Sequence, residues 1–189
     1  MQHRENLVRI RARALAVPYQ SSRMLGFSPC PMAKPLRNSS RQAIVAGVRT
    51  FFVSSRTVQG KHLLQSQRSA DLLIDVLRSY TLARKFKVHE FVVMPDHFHV
   101  LLSLDVDTSI ERAVQLIKGG FSFRRRKELG LEGEIWQRGF SEVRVIDRTS
   151  FLAHKEYIDE NPVKAGLAAR AEDYPYCSAY LRNKKKASG

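Results

Sequence analysis

Cysteine is scarce in this chain: Cys30 and Cys177 are the two among 189 residues, in unrelated contexts. That excludes a disulfide-built fold and a cysteine-rich metal cluster, and it reads as free thiols in a reducing compartment. No apolar run approaches the roughly 20 residues that a membrane-spanning helix needs. A secretory leader is lacking too, because Arg9, Arg11 and Arg13 interrupt the start where its apolar stretch would lie. Acidic residues are the other shortage, with 18 Asp plus Glu against 32 Lys plus Arg and a formal net charge of +14. Such an excess favours a polyanionic partner, because neutralising phosphates releases condensed counterions. A generally basic protein without a specific partner is the alternative.

What is present is a hydrophobic share of 43%, enough for one core. Residues 1–43 set Arg4, Arg9, Arg11, Arg13, Arg23, Lys34, Arg37 and Arg41 against Glu5, and Pro18, Pro29, Pro31 and Pro35 break any long element. They read as a basic, flexible arm. Residues 182–189, which end in "NKKKASG", read as a disordered basic tail. Between 44 and 181 the pattern is regular. "RTFFVSSRTV" (49–58) predicts a strand, and Leu72, Leu73, Val76, Leu77 and Tyr80 share one face of a helix. "VHEFVVMP" and "HFHVLLSL" predict two strands joined at Pro95-Asp96. A second helix follows, capped by Asp107, Thr108 or Ser109 and stopped at Gly130. Residues 135–146 predict a fourth strand or strand pair bent near Gly139. A third helix, capped by Thr149 or Ser150, is expected to end at Asn161-Pro162, with a shorter helix around 163–170. The order β-α-β-β-α-β is that of an α+β, ferredoxin-like (split βαβ) antiparallel sheet with helices on one face.

Two histidines interrupt the best strand. In "FVVMPDHFHVLLS", His97 and His99 must point one way while Phe98 and Val100 point the other. Side-by-side imidazoles on a rigid strand suit a metal; two polar residues on a half-solvated face are the plainer alternative. Asp96 reads as a turn residue. Tyr157 and Asn161 lie four apart on one helix face. They offer a nucleophilic hydroxyl and a carbonyl ligand, or an aromatic packed on the sheet and a helix cap.

"VVMPDHFHVLL", "LIKGGFS", "IWQRGF", "YIDENPVKAGL" and "DYPYCSAY", in that order, resemble the single-tyrosine HUH transposases of bacterial insertion sequences, most closely the REP-associated tyrosine transposases. The resemblance covers about 44–181. It implies an HUH-type endonuclease that cuts and rejoins single-stranded DNA next to hairpins through a 5′-phosphotyrosine intermediate. Tyr157 takes the place of the nucleophile; His97, His99 and Asn161 take the places of the ligands to Mg²⁺ or Mn²⁺. The two imidazoles would also suit Zn²⁺. Lys118, Arg124, Arg125, Arg126, Arg138, Arg144 and Lys164 are candidate phosphate contacts, and Phe123 is a candidate for stacking on a base, while Phe121 and Trp136 read as packing residues. The implied setting is the bacterial cytoplasm, associated with the nucleoid, with no membrane partner; a homodimer is the favoured assembly, with a monomer kept beside it. The competing function is a domesticated, non-catalytic binder of hairpin DNA.

Overall fold

β-Branched and aromatic residues from Arg49 onward form the first strand, β1 (Arg49–Arg56), and its side chains alternate between two packed faces. The computed structural model describes residues 47–188, so the arm expected over 1–43, with Cys30, lies outside the described residues. After β1 come α1 (Gln67–Leu82), β2 (Lys87–Val93), β3 (His97–Leu104), α2 (Ile110–Leu129), β4 (Ser141–Val145), α3 (Arg148–Lys164) and α4 (Ser178–Ala187). The strands make one antiparallel sheet in the order β2-β3-β1-β4. That is the split βαβ order, with β1 and β3 side by side at its centre. Among the described residues, no helix is long and apolar enough to cross a membrane.

Local chemistry sets the first two helices. Ser66 Oγ accepts from Ser69 N, and Ser109 Oγ from Arg112 N, each at 3.2 Å, satisfying a donor that the first turn leaves orphaned. α2 stops at Gly130, whose φ of +64° is costly for any residue with a Cβ. Leu73, Val76 and Leu77 of α1 and Ile117 and Phe121 of α2 pack on the sheet face made by Phe51, Val53, Phe98, Val100 and Leu102. The helices come close at Gly120, where an added Cβ would lie 2.9 Å from the Tyr80 ring; at Gly119 it would meet nothing within 4 Å. Gly119→Ala is therefore expected to raise stability by about 0.5–1 kcal/mol through helix propensity. Gly120→Ala should forfeit that gain by displacing Tyr80 from Phe86, and paired urea titrations will read the difference.

The structure departs from the sequence expectations in six places. α1 and α2 cover one face as expected, but α3 covers the other, where Ile158 joins Phe52, Val92, Leu101 and Val145 in a second apolar cluster. The reason is visible in β3, all 8 residues of which are buried, which one helical layer cannot achieve. α3 is capped by Asp147, whose Oδ1 accepts from Ser150 N at 2.7 Å, not by Thr149 or Ser150. It also runs through Pro162 to Lys164. In the last turn, proline forfeits only the bond to the Ile158 carbonyl, and its ring is buried. No further helix forms before residue 170: Gly166, at φ +68°, turns the chain, and only a 3-10 turn follows at Ala171–Asp173. The fourth strand is confined to Ser141–Val145, after a bend at Gly139 and an isolated bridge between Trp136 and Thr57. Finally, the stretch read as a disordered tail is helical to Ala187, held by ion pairs from Arg182 to Glu90 and Asp159.

Candidate active site

β2 and β3 meet in a tight turn at Pro95-Asp96, closed by Met94 N donating to His97 O at 2.8 Å. Pro95 has no N–H to leave unpaired. The turn's two carbonyls are also taken, Pro95 O by Leu64 N at 2.9 Å and Asp96 O by Thr57 N at 2.8 Å. The first residues of β3 are thereby pinned. Phe98 and Val100 enter the core under α1 and α2, and His97 and His99 share the opposite face with ring centroids 4.8 Å apart.

Each imidazole is held by its Nδ1. The strand register sets Ser54 opposite His99 and Arg56 opposite His97. Ser54 Oγ lies 2.8 Å from His99 Nδ1, and Asp96 Oδ1 lies 2.6 Å from His97 Nδ1. Asp96 was expected as a turn residue; its carbonyl serves the turn, but its carboxylate orients the histidine. An ionised carboxylate only accepts, so Nδ1 of His97 donates to Asp96 and Nε2 is the end of the ring turned away from that bond. The Nε2 atoms of both His97 and His99 are buried without a hydrogen-bond partner. Burial pulls the pKa of His99 well below its ordinary value, helped by the charges of His97 and Arg56 and opposed by Asp96. Burial works to raise the Asp96 carboxyl, but the hydrogen bond from His97 and the charges of His97 and Arg56 outweigh it and hold the group low.

α3 closes the gap that sequence spacing could not. The half-buried Tyr157 ring stands edge-on to His99 at 5.2 Å and to Phe52 at 5.6 Å. One turn later, Asn161 Nδ2 donates to the Tyr157 carbonyl at 3.1 Å, which leaves Oδ1 as its uncommitted end. A strand of paired imidazoles facing a helix that carries a tyrosine and an asparagine is thus assembled from segments 60 residues apart, for the match of residues 55–161 to span: these residues match the family of IS200-like transposases. The chain belongs to this family. A REP-associated tyrosine transposase of Escherichia coli (strain K12) is 30% identical over 138 residues, 72% of this chain and 78% of the relative. A relative from Haemophilus influenzae is 27% identical over 133 residues, 61% of this chain and 76% of its own length. The solved structure of a REP-associated tyrosine transposase bound to a REP hairpin superposes with a TM-score of 0.61 at 25% identity, covering 76% of this chain and 84% of the other.

In this IS200-like transposase the basic residues expected at a DNA surface divide into two groups. Arg126, Arg138 and Arg144 are exposed, and Phe123 is 59% exposed with Lys127 Nζ 6.0 Å from its ring. The others have partners within the protein. Lys118 Nζ donates to the carbonyls of Gln137 and Gly139 at 2.8 and 2.9 Å, tying α2 to the loop before β4. Arg125 is 7% exposed and donates to the carbonyls of Leu131 and Glu132. These two are corrected from phosphate contacts to loop anchors, since their charged ends are turned to loop carbonyls within the protein. Arg124 pairs with Glu128 at 2.6 Å and Lys164 with Glu160 at 2.5 Å; such helix-surface pairs are weak and exchange readily for a phosphate. Trp136 packs edge-on against Phe98 and Phe121, with Nε1 donating to Lys118 O at 3.0 Å, in the packing role expected of it.

Proposed function

We propose that this transposase is a metal-dependent enzyme that nicks and rejoins single-stranded DNA beside hairpins, with Tyr157 as the nucleophile. The observation that carries the reading is the pair of buried, unpartnered Nε2 atoms of His97 and His99 beside the Tyr157 ring. A buried polar atom without a partner costs about 1–3 kcal/mol, and such atoms call for a ligand that completes them. With each Nδ1 held by Asp96 or Ser54, both rings offer Nε2, the arrangement that metal-ligating histidines adopt. His97, His99 and Oδ1 of Asn161 would hold Mg²⁺ or Mn²⁺, the two nitrogens favouring Mn²⁺. When bound, the cation polarises the scissile phosphate and helps to hold it in line.

Tyr157 Oη attacks the phosphorus; the new P–O bond to tyrosine forms as the P–O3′ bond breaks, and the departing 3′ oxygen takes up a proton. The 5′ end stays on Tyr157 as a phosphodiester. A later 3′-OH attacks it and restores the phenol, so joining needs no ATP. Phe123 offers a base-stacking surface, and Arg126, Arg138 and Arg144 offer phosphate contacts. Hairpin DNA as the partner is supported by the related transposase solved with a REP hairpin.

The test is incubation of the protein with labelled single-stranded hairpin oligonucleotides in Mn²⁺, Mg²⁺ or EDTA. The expected result is a cation-dependent covalent adduct on a denaturing gel. Hairpin binding without an adduct in either cation would make the protein a domesticated, non-catalytic binder; cleavage without attachment would make water the nucleophile. Ser54→Ala and Asp96→Ala are each expected to weaken Mn²⁺ binding about 10- to 100-fold in calorimetric titrations. Unchanged affinity in both would remove the assigned role of the imidazoles.

A further inference from the structure

The last helix is fastened to the helix that carries Tyr157. Arg182 on α4 donates through Nη1 to Glu90 Oε2 on β2, and through Nη2 to Asp159 Oδ1 and Oδ2 on α3 at 3.3 and 3.2 Å. Glu90 is 7% exposed, and Lys155 reaches Asp159 Oδ2 at 2.5 Å. α4 acts from a fixed base, because Ser178 Oγ accepts from Phe91 N at 2.8 Å and donates to Phe91 O at 3.0 Å, and Cys177 bridges Val92.

α3 needs such a hold. Its fully buried residues, His154, Ile158 and Pro162, make a narrow stripe repeating every four residues, flanked by the partly buried Phe151 and Tyr157. A stripe of that width sets where the helix axis lies but resists rotation about the axis poorly. Asp159 is two residues beyond Tyr157 and therefore projects from a different side of the helix. A grip there, referred to the sheet through Glu90, stops the rotation that would carry the Tyr157 ring away from His99.

We infer that Arg182 is a positioning residue for the nucleophile: through Asp159 it sets the roll of the tyrosine helix over the histidine pair. The functional half of this inference rests on Tyr157 being the nucleophile; the structural half does not.

The experiment compares wild type, Arg182→Ala, Arg182→Lys and Asp159→Asn. Asp159→Asn cuts the arm to α3 while keeping the Arg182–Glu90 pair, so it remains informative should loss of Arg182 leave Glu90 uncompensated and unfold the chain. Amide hydrogen exchange in residues 153–164 is expected to quicken about tenfold in Asp159→Asn and Arg182→Ala, with the β1–β3 amides unchanged and partial recovery in Arg182→Lys. Hairpin binding should hold while the rate of adduct formation falls about tenfold. Unaltered exchange in α3 would overturn the clamp; faster exchange with an unaltered rate would overturn the positioning role. If wild type forms no adduct, the functional reading falls, and the exchange measurement still decides whether the clamp exists.

Discussion

Tyr157→Phe is expected to abolish the covalent protein–DNA adduct while leaving the fold and hairpin binding in place. The Tyr157 hydroxyl makes no hydrogen bond among the described residues, so deleting it leaves no protein group unpaired. The ring contacts with Phe52 and His99 survive the change. The stability difference should therefore stay within about 0.5 kcal/mol, and a gel-shift titration should give an affinity within about twofold of wild type. What disappears is the oxygen proposed to bond phosphorus. The neighbouring groups are otherwise assigned, the imidazole Nε2 atoms to the cation and Ser54 Oγ to His99 Nδ1, so none is expected to replace it. Adducts that persist in this variant would assign the nucleophile elsewhere.

Phe98→Ala and His97→Ala, one residue apart, should fail in opposite ways. Phe98 is 0% exposed and stands edge-on to Trp136 at 5.5 Å, so truncation leaves a cavity between the sheet and α2. The expected loss is about 3–5 kcal/mol, a large part of the 5–15 kcal/mol typical of a folded domain. His97 sits at the rim of the other face and carries one of the orphaned nitrogens. Its removal should cost only about 1 kcal/mol but should end cation-dependent adduct formation. Denaturant melts with and without Mn²⁺ separate the two: a cation that binds only the folded state raises the midpoint of Phe98→Ala and not that of His97→Ala. A mild Phe98→Ala would contradict the assignment of faces along β3. Equal stabilisation of His97→Ala by Mn²⁺ would contradict the ligand assignment.

How much of this was legible in the residues follows from the range of each interaction. The alternation in "HFHV" placed the histidines on one face, and Gly130 with a cap among Asp107, Thr108 and Ser109, the last of which serves, marked the ends of α2, because period, caps and left-handed glycines act within a few residues. The sheet order followed from the order of elements. The layer that α3 occupies did not, since the spacing of Tyr157 and Asn161 is the same whichever face the helix lies on. Nor did the role of Ser54, which depends on the register that sets it opposite His99. Arg125 was misjudged although a signal existed: it lies four residues beyond the buried Phe121 and so continues the core-facing stripe of α2. Arg182, within a run of basic residues, resembled a solvated tail until Glu90 and Asp159 were brought beside it.

The segment that leads into α4 also bears on how copies of the chain meet. Val93 N is used by Tyr176 O at 2.9 Å and Phe91 N by Ser178 Oγ, so the outward-facing amides near the end of β2 are already occupied. A stranger's strand cannot extend the sheet there without first peeling off the protein's own polypeptide. That closes one rim to runaway edge-to-edge aggregation, the standing hazard of open sheets. The opposite rim, β4, is only 5 residues long and carries Glu142 and Arg144, charges that discourage indiscriminate pairing.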